Sequence, residues 1–139
     1  MGLNVPLLRS SFELVTERQP LLTARFYQIL FERYPRARAL FYRRPIEVQQ
    51  TMLQEALVAV LDHIEDAQWL SDTLRGMGAQ HVEYGVTDEM YDWVGASLLA
   101  TLAEVADEDW SSELADQWGQ AYGAIAGLMK EGARTVAPA

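Results

Sequence analysis

Apolar residues recur at helical spacing along almost the whole chain, and nowhere do they alternate with polar ones long enough to mark a half-buried strand. That one property confines the 139 residues to an all-α fold. Leu8, Phe12 and Val15 form a first stripe behind Asn4 and Pro6, a pair suited to starting a helix. Leu22, Phe26, Ile29 and Leu30 form a second, opened by Pro20. Pro35 stops or kinks it, because proline has no N–H for the preceding turn. Pro45 begins a third stripe of Leu53, Leu57, Val60, Leu61 and Ile64. A shorter helix is predicted from about Ser71 to His81 and is broken at Tyr84-Gly85, where glycine accepts backbone angles that other residues resist. Thr87 caps the next, with Asp88 and Glu89 suited to its positive end. That helix presents Tyr91, Val94, Leu98, Leu102 and Val105. Ser111 or Asp109 caps the last, which carries Leu114, Trp118, Ala121, Ile125 and Leu128. With no linker, repeat or low-complexity tract, residues 1–139 read as a single domain whose tail frays from about 134 to 139.

Composition removes several functions. The chain has no cysteine, so disulfides, thiolate metal sites and cysteine nucleophiles are excluded together. A reducing, cytoplasmic location fits that absence. The net charge of −9 argues against nucleic acid and against an anionic membrane surface, since both are bound through Lys and Arg. No charged leader precedes an apolar stretch at the N-terminus, and the longest apolar run, residues 56–61, is far too short to span a bilayer.

Only two histidines remain as candidates for metal or acid–base chemistry. His63 falls between Asp62 and Ile64, off its apolar stripe, and reads as a solvated surface residue. His81 sits near the end of a short helix, between Gly78 and Gly85. By spacing alone, ordinary packing outweighs a ligand role. A protein-only zinc site needs three or four protein ligands, and neither HxxxH nor HExxH occurs. Haem differs, because the porphyrin supplies four nitrogens and the protein needs to add one imidazole.

At this point the chain resembles a known family. The pattern L-x-x-x-G-x-x-H-x-x-Y-G-V, at Leu74, Gly78, His81, Tyr84, Gly85 and Val86, is similar to the proximal region of bacterial single-domain globins and of the haem module of flavohaemoglobins. Residues 21–35 resemble the family's second helix, with its distal tyrosine at Tyr27; Phe41 matches the phenylalanine that stacks on haem. Residues 49–57 resemble the distal helix, with Gln49 and Leu53 on one face, and residues 118–123 the start of the final helix. The resemblance covers about residues 6–130 and implies a globin fold of six to eight helices around a haem b pocket.

It further implies that His81 ligates iron and that dioxygen, nitric oxide or carbon monoxide binds on the other side. There Tyr27 and Gln49 (with Gln50 as the alternative) donate hydrogen bonds, and Leu53 controls room for a second gas. Phe41, Leu53, Leu57, Gln80, Val86, Tyr91, Val94 and Leu98 complete the expected cofactor contacts. The expected activity is reversible oxygen binding, with nitric oxide dioxygenation supported by a separate reductase; oxygen storage, delivery or sensing through a partner is the alternative. The glutamate that backs the matching tyrosine in flavohaemoglobins falls here at Thr135, and Glu131 reaches Tyr91 only if the last helix shifts or bends. Five of the eleven basic residues, Arg33, Arg36, Arg38, Arg43 and Arg44, crowd one corner that reads first as solvated, and second as a dock for an acidic reductase or a neighbour of the haem propionates. Gly119, Gly123 and Gly127 suggest close approach of the helix bearing Gly95 and Ala96, in a monomer or weak dimer.

Overall fold

The computed structural model describes residues 2–136, and among these it contains helices and no strand. Six α-helices follow in order: α1 (Val5–Arg18), α2 (Leu22–Arg33), α3 (Ile46–Asp62), α4 (Ala67–Glu83), α5 (Asp88–Ala106) and α6 (Ser112–Val136). Two 3-10 segments, Pro35–Leu40 and Asp107–Asp109, turn the chain between them. The helix starts follow local chemistry. Asn4 accepts a hydrogen bond from Leu7 N at 3.2 Å, Asp66 accepts from Trp69 N at 3.0 Å, and Ser111 accepts from Leu114 N at 3.1 Å. Of the two proposed caps for α6, the hydroxyl of Ser111 is the one used. The last helix continues through Val136, and the remainder of the expected frayed tail, residues 137–139, lies outside the described residues.

α4 is longer than its sequence suggests, beginning at Ala67 rather than near Ser71. Its start is set by the Asp66 cap, and its body packs closely on α6. Its contact with α6 is made by glycine backbone as much as by side chains. A Cβ on Gly78 would lie 1.8 Å from Met129 O, and one on Gly132 would lie 1.9 Å from Arg75 O. The two helices therefore cross with their backbones touching. Gly119, Gly123 and Gly127, expected to admit the helix bearing Gly95 and Ala96, do not make such a contact. Gly123 and Gly127 have nothing within 4 Å of a Cβ position, and Gly119 only the tip of Leu99 at 4.0 Å. Gly95 is tightly approached, but by the ring of Tyr122. Gly123 lies exposed inside α6, where glycine loses more backbone freedom than alanine on folding. Gly123→Ala is accordingly expected to stabilise the protein by about 0.5–1 kcal/mol, read as a higher urea midpoint at unchanged slope.

The main core joins α1, α2, α5 and α6 through Leu8, Phe26, Leu30, Leu102 and Trp118, all at most 5% exposed. Trp118 also donates to Ser11 Oγ at 3.0 Å, which satisfies its buried indole N–H. α3 behaves differently: of its apolar stripe only Leu61 is buried, while Leu53, Leu57 and Val60 are half-buried. That stripe lines a cavity. His63, expected on the open surface, is half-buried at the end of α3; its ring stacks on Trp69 at 3.9 Å, and Nδ1 lies 2.9 Å from Ala59 O.

Candidate functional site

A cavity of about 340 Å³ lies between α3 on one side and α2, α4, α5 and α6 on the others. Its size falls within the range of small-molecule and cofactor sites. The walls are predominantly apolar, with Phe26, Leu30, Phe41, Leu53, Leu74 and Leu98 among them. Four methionines, Met52, Met77, Met90 and Met129, also line it, and flexible thioethers suit an irregular apolar wall. The expected contacts Leu57, Gln80, Val86, Tyr91 and Val94 reach it too, as do His81, Tyr27 and Gln49. The structure thus brings these sequence-derived site residues to a single cavity.

His81 comes from the last turn of α4. Its Nδ1 lies 2.6 Å from Met77 O, one turn back along the same helix. A carbonyl can only accept, so Nδ1 carries the proton and Nε2 keeps a free lone pair. Burial holds the imidazolium form down, against a smaller opposing effect of the Met77 carbonyl, and so favours the neutral ring that a metal requires. The backbone around it is pinned as well. Tyr84 N and Val86 N both donate to His81 O at 3.1 Å, a turn completed by Gly85 at φ +87°. Tyr84 then packs edge-on against the imidazole at 5.5 Å.

Tyr27 projects from α2 and is only 3% exposed. Gln49, from the first turn of α3, donates through Nε2 to the Tyr27 hydroxyl oxygen at 3.1 Å. With its oxygen accepting, the phenol proton is left to be donated elsewhere. Burial pushes the Tyr27 phenol up to about 12, with Gln49 pulling the other way, so the group stays protonated through the neutral range. Phe41 stands edge-on to Tyr27 at 5.2 Å. Gln50 makes no such bond to the Tyr27 hydroxyl: it lines an outer groove on the other side of Tyr27, with Ala24 and Gln28, and its backbone carbonyl accepts from Thr23 Oγ1 at 2.7 Å.

Tyr91, on α5, has a buried hydroxyl without a hydrogen-bond partner among the described residues. Glu131 does not supply one. It sits at the surface in an ion pair with Arg75, at 2.9 Å. Thr135 donates to Gly132 O at 2.7 Å within its own helix. What sequence reasoning missed is chiefly the Met77 carbonyl, the atom that fixes the histidine tautomer. A backbone acceptor has no side-chain identity, so only the four-residue offset from His81 hinted at it.

An apolar slot of this size, a neutral imidazole with one free nitrogen, a phenol with an uncommitted proton and an unpartnered buried hydroxyl together fit a flat, apolar metal-bearing cofactor. They do not fit a bare ion: among the described residues no group of three or more His, Asp or Glu is placed to hold one. No helix of the described residues is long and apolar enough to cross a membrane.

Comparison with known proteins agrees with this chemistry. The family model described as Globin matches residues 24–129. The flavohemoprotein of Bordetella pertussis is 34% identical over 125 residues, and that of Bacillus cereus 32% over the same length. Each alignment covers 88% of this chain but 31% of the relative, so the chain spans about a third of the length of the curated relatives it matches. Among solved structures, the engineered carbene transferase RmaNOD of Rhodothermus marinus, an inferred nitric oxide dioxygenase, superposes with a TM-score of 0.82 at 30% identity. That match covers 95% of this chain and 92% of the other. A bacterial globin from Campylobacter jejuni superposes with a TM-score of 0.78 at 23% identity, covering 95% of each chain, and shares the fold.

Proposed function

This chain belongs to the globin family, whose fold implies haem and diatomic gas ligands, and from that premise we propose that it holds haem b through His81 and binds dioxygen reversibly beside Tyr27 and Gln49. The observation that carries the reading is the proton arrangement. Nδ1 of His81 is committed to Met77 O, which leaves Nε2 to ligate, and the Tyr27 oxygen is committed to Gln49, which leaves its proton to donate. Haem, when bound, supplies a redox-active iron with one position open to a diatomic gas. The chain does the rest. His81 anchors the cofactor and sets the ligating nitrogen. Phe41, Leu57, Val94 and Leu98 provide apolar walls that exclude water and strengthen each hydrogen bond inside. Tyr27 holds a proton where partial negative charge develops on a bound gas, as a preorganised donor does for an oxyanion. Gln49 fixes the direction of that proton, and Leu53 limits the room for a second gas.

The activity proposed for this site is nitric oxide dioxygenation: nitric oxide, dioxygen and one electron from a separate reductase give nitrate. The flavohemoprotein relatives and the Rhodothermus neighbour support it. The second reading is oxygen storage or delivery without turnover, and one observation favours it. The acceptor behind His81 is a neutral carbonyl, and Glu131 is engaged with Arg75, so among the described residues no carboxylate makes the imidazole a stronger electron donor. Nitric oxide consumption with a reductase supplied separates the two: consumption through many equivalents supports the dioxygenase, and consumption that halts at one equivalent supports storage.

Tyr27→Phe removes the donor while keeping the ring. The oxygen dissociation rate is expected to rise roughly 10- to 150-fold, corresponding to about 1.5–3 kcal/mol for a hydrogen bond to a charged acceptor. Because the phenol titrates only near about 12, the wild-type rate should stay flat from about pH 6 to about pH 10. Stopped-flow oxygen displacement by carbon monoxide measures both. An unchanged rate in the variant would remove Tyr27 from the site.

A further inference from the structure

Four ion pairs form among the described residues, and their cations are Arg9, Arg18, Arg25 and Arg75. None of the five arginines between residues 33 and 44 takes part, although Glu32 and Glu47 lie nearby in the chain. Four of these guanidiniums rest on aromatic faces or sulfur instead. Arg36 lies over Trp93 at 5.5 Å, Arg38 over Phe31 at 4.6 Å and Arg43 over Tyr84 at 5.2 Å, while Arg44 donates to the Met52 sulfur. Such contacts hold the cations in place without neutralising them. The same corner displays three large apolar side chains to solvent: Tyr42 at 74% exposure, Val48 at 47% and Met52 at 46%. Arginine, tyrosine and methionine around an apolar centre is the composition of protein interfaces rather than of ordinary surface. The corner is also continuous with the cavity, since Leu40, Phe41, Arg43, Arg44 and Met52 line both.

We propose that this corner is the docking surface for a one-electron donor protein with an acidic face. The proposal rests on the haem reading above. In the step it serves, the donor loses one electron and the ferric iron held by His81 becomes ferrous, with no bond made or broken in the chain. Fixed positive charge at the cavity rim of a chain with net charge −9 gives an acidic partner one favourable approach.

The test uses reduced flavodoxin, an acidic one-electron carrier, as the probe. Two proteins of net negative charge should react faster as salt screens their repulsion. Docking at the corner reverses that sign: reduction of the ferric, haem-loaded protein is expected to slow with added potassium chloride, on the order of tenfold between low and high salt. Arg33, Arg36 and Arg38 lie outside the haem cavity, so the triple variant Arg33→Glu, Arg36→Glu, Arg38→Glu should take up hemin normally. Its reduction should lose the inhibition by salt. A second readout needs no haem: backbone amide shifts of the purified protein on titration with oxidised flavodoxin should concentrate in residues 33–52. Failure to take up hemin while those shifts persist would strike the haem reading and leave the docking surface standing. A wild-type rate that rises or stays flat with salt, a salt response unaltered in the triple variant, or shifts centred elsewhere would overturn the proposal. So would shifts in residues 33–52 on concentrating the protein alone, which would make a second copy the occupant.

Discussion

Gly78→Ala is expected to lower stability by about 3 kcal/mol and the melting temperature by roughly 10 °C. The added methyl would sit 1.8 Å from Met129 O and 2.5 Å from Met129 C, atoms of the α6 backbone that no rotamer change can move aside. α4 and α6 must separate to admit it, and the reciprocal contact of Gly132 with Arg75 O opens with them. Overpacking at side chains relaxes by repacking; here both surfaces are main chain. The damage extends to the site, because Gly78 lies three residues before His81, on the same side of α4, and one residue after Met77, whose carbonyl sets the tautomer. Thermal melts followed by circular dichroism, with hemin affinity measured alongside, check this. A melting temperature within about 2 °C of wild type would show that the helices do not cross so closely.

His81→Gly is expected to reduce hemin affinity well beyond the roughly 10- to 100-fold that follows from disturbing a residue behind a metal ligand. It removes the only imidazole lining the cavity, and His63 is held at the far end of α3 by Trp69 and Ala59. Glycine leaves space of about the shape of the lost ring. Added imidazole should therefore restore the absorption spectrum, whereas a variant damaged only in its fold would not respond. Recovery with imidazole assigns the loss to ligation; no loss at all would place the ligand elsewhere.

The helices carrying side-chain contacts were legible from periodicity, because each buries a stripe of large apolar residues: Phe26 and Leu30 in α2, Leu98 and Leu102 in α5, Trp118 and Ala121 in α6. α4 was legible only in part. Its closest contact is made by Gly78, which has no hydrophobicity to register, and its start depends on the Asp66 cap. For the same reason the evenly spaced glycines of α6 misled: spacing says nothing about whether a neighbour is present, and Gly123 and Gly127 open outward. In the site, Tyr27, Phe41 and His81 stood out through the spacing shared with bacterial globins, and the structure gathers them around one cavity. The pairing of Gln49 rather than Gln50 with Tyr27 depends on how the corner at residues 41–45 feeds α3, a one-residue matter that sequence leaves open. The surface position of Glu131 follows from its partner Arg75, fifty-six residues earlier, a distance across which no periodicity speaks.

The central claim is that His81 grips the iron of a haem and leaves its other side free for a gas. An absorption titration of the purified protein with hemin, followed by reduction and exposure to carbon monoxide, tests it most directly. The account predicts saturation at a single hemin per chain, a marked spectral shift with carbon monoxide, and failure of His81→Gly to give either until imidazole is added. A protein that remains colourless with hemin, or a His81→Gly variant whose spectra match those of the wild type without imidazole, would contradict it.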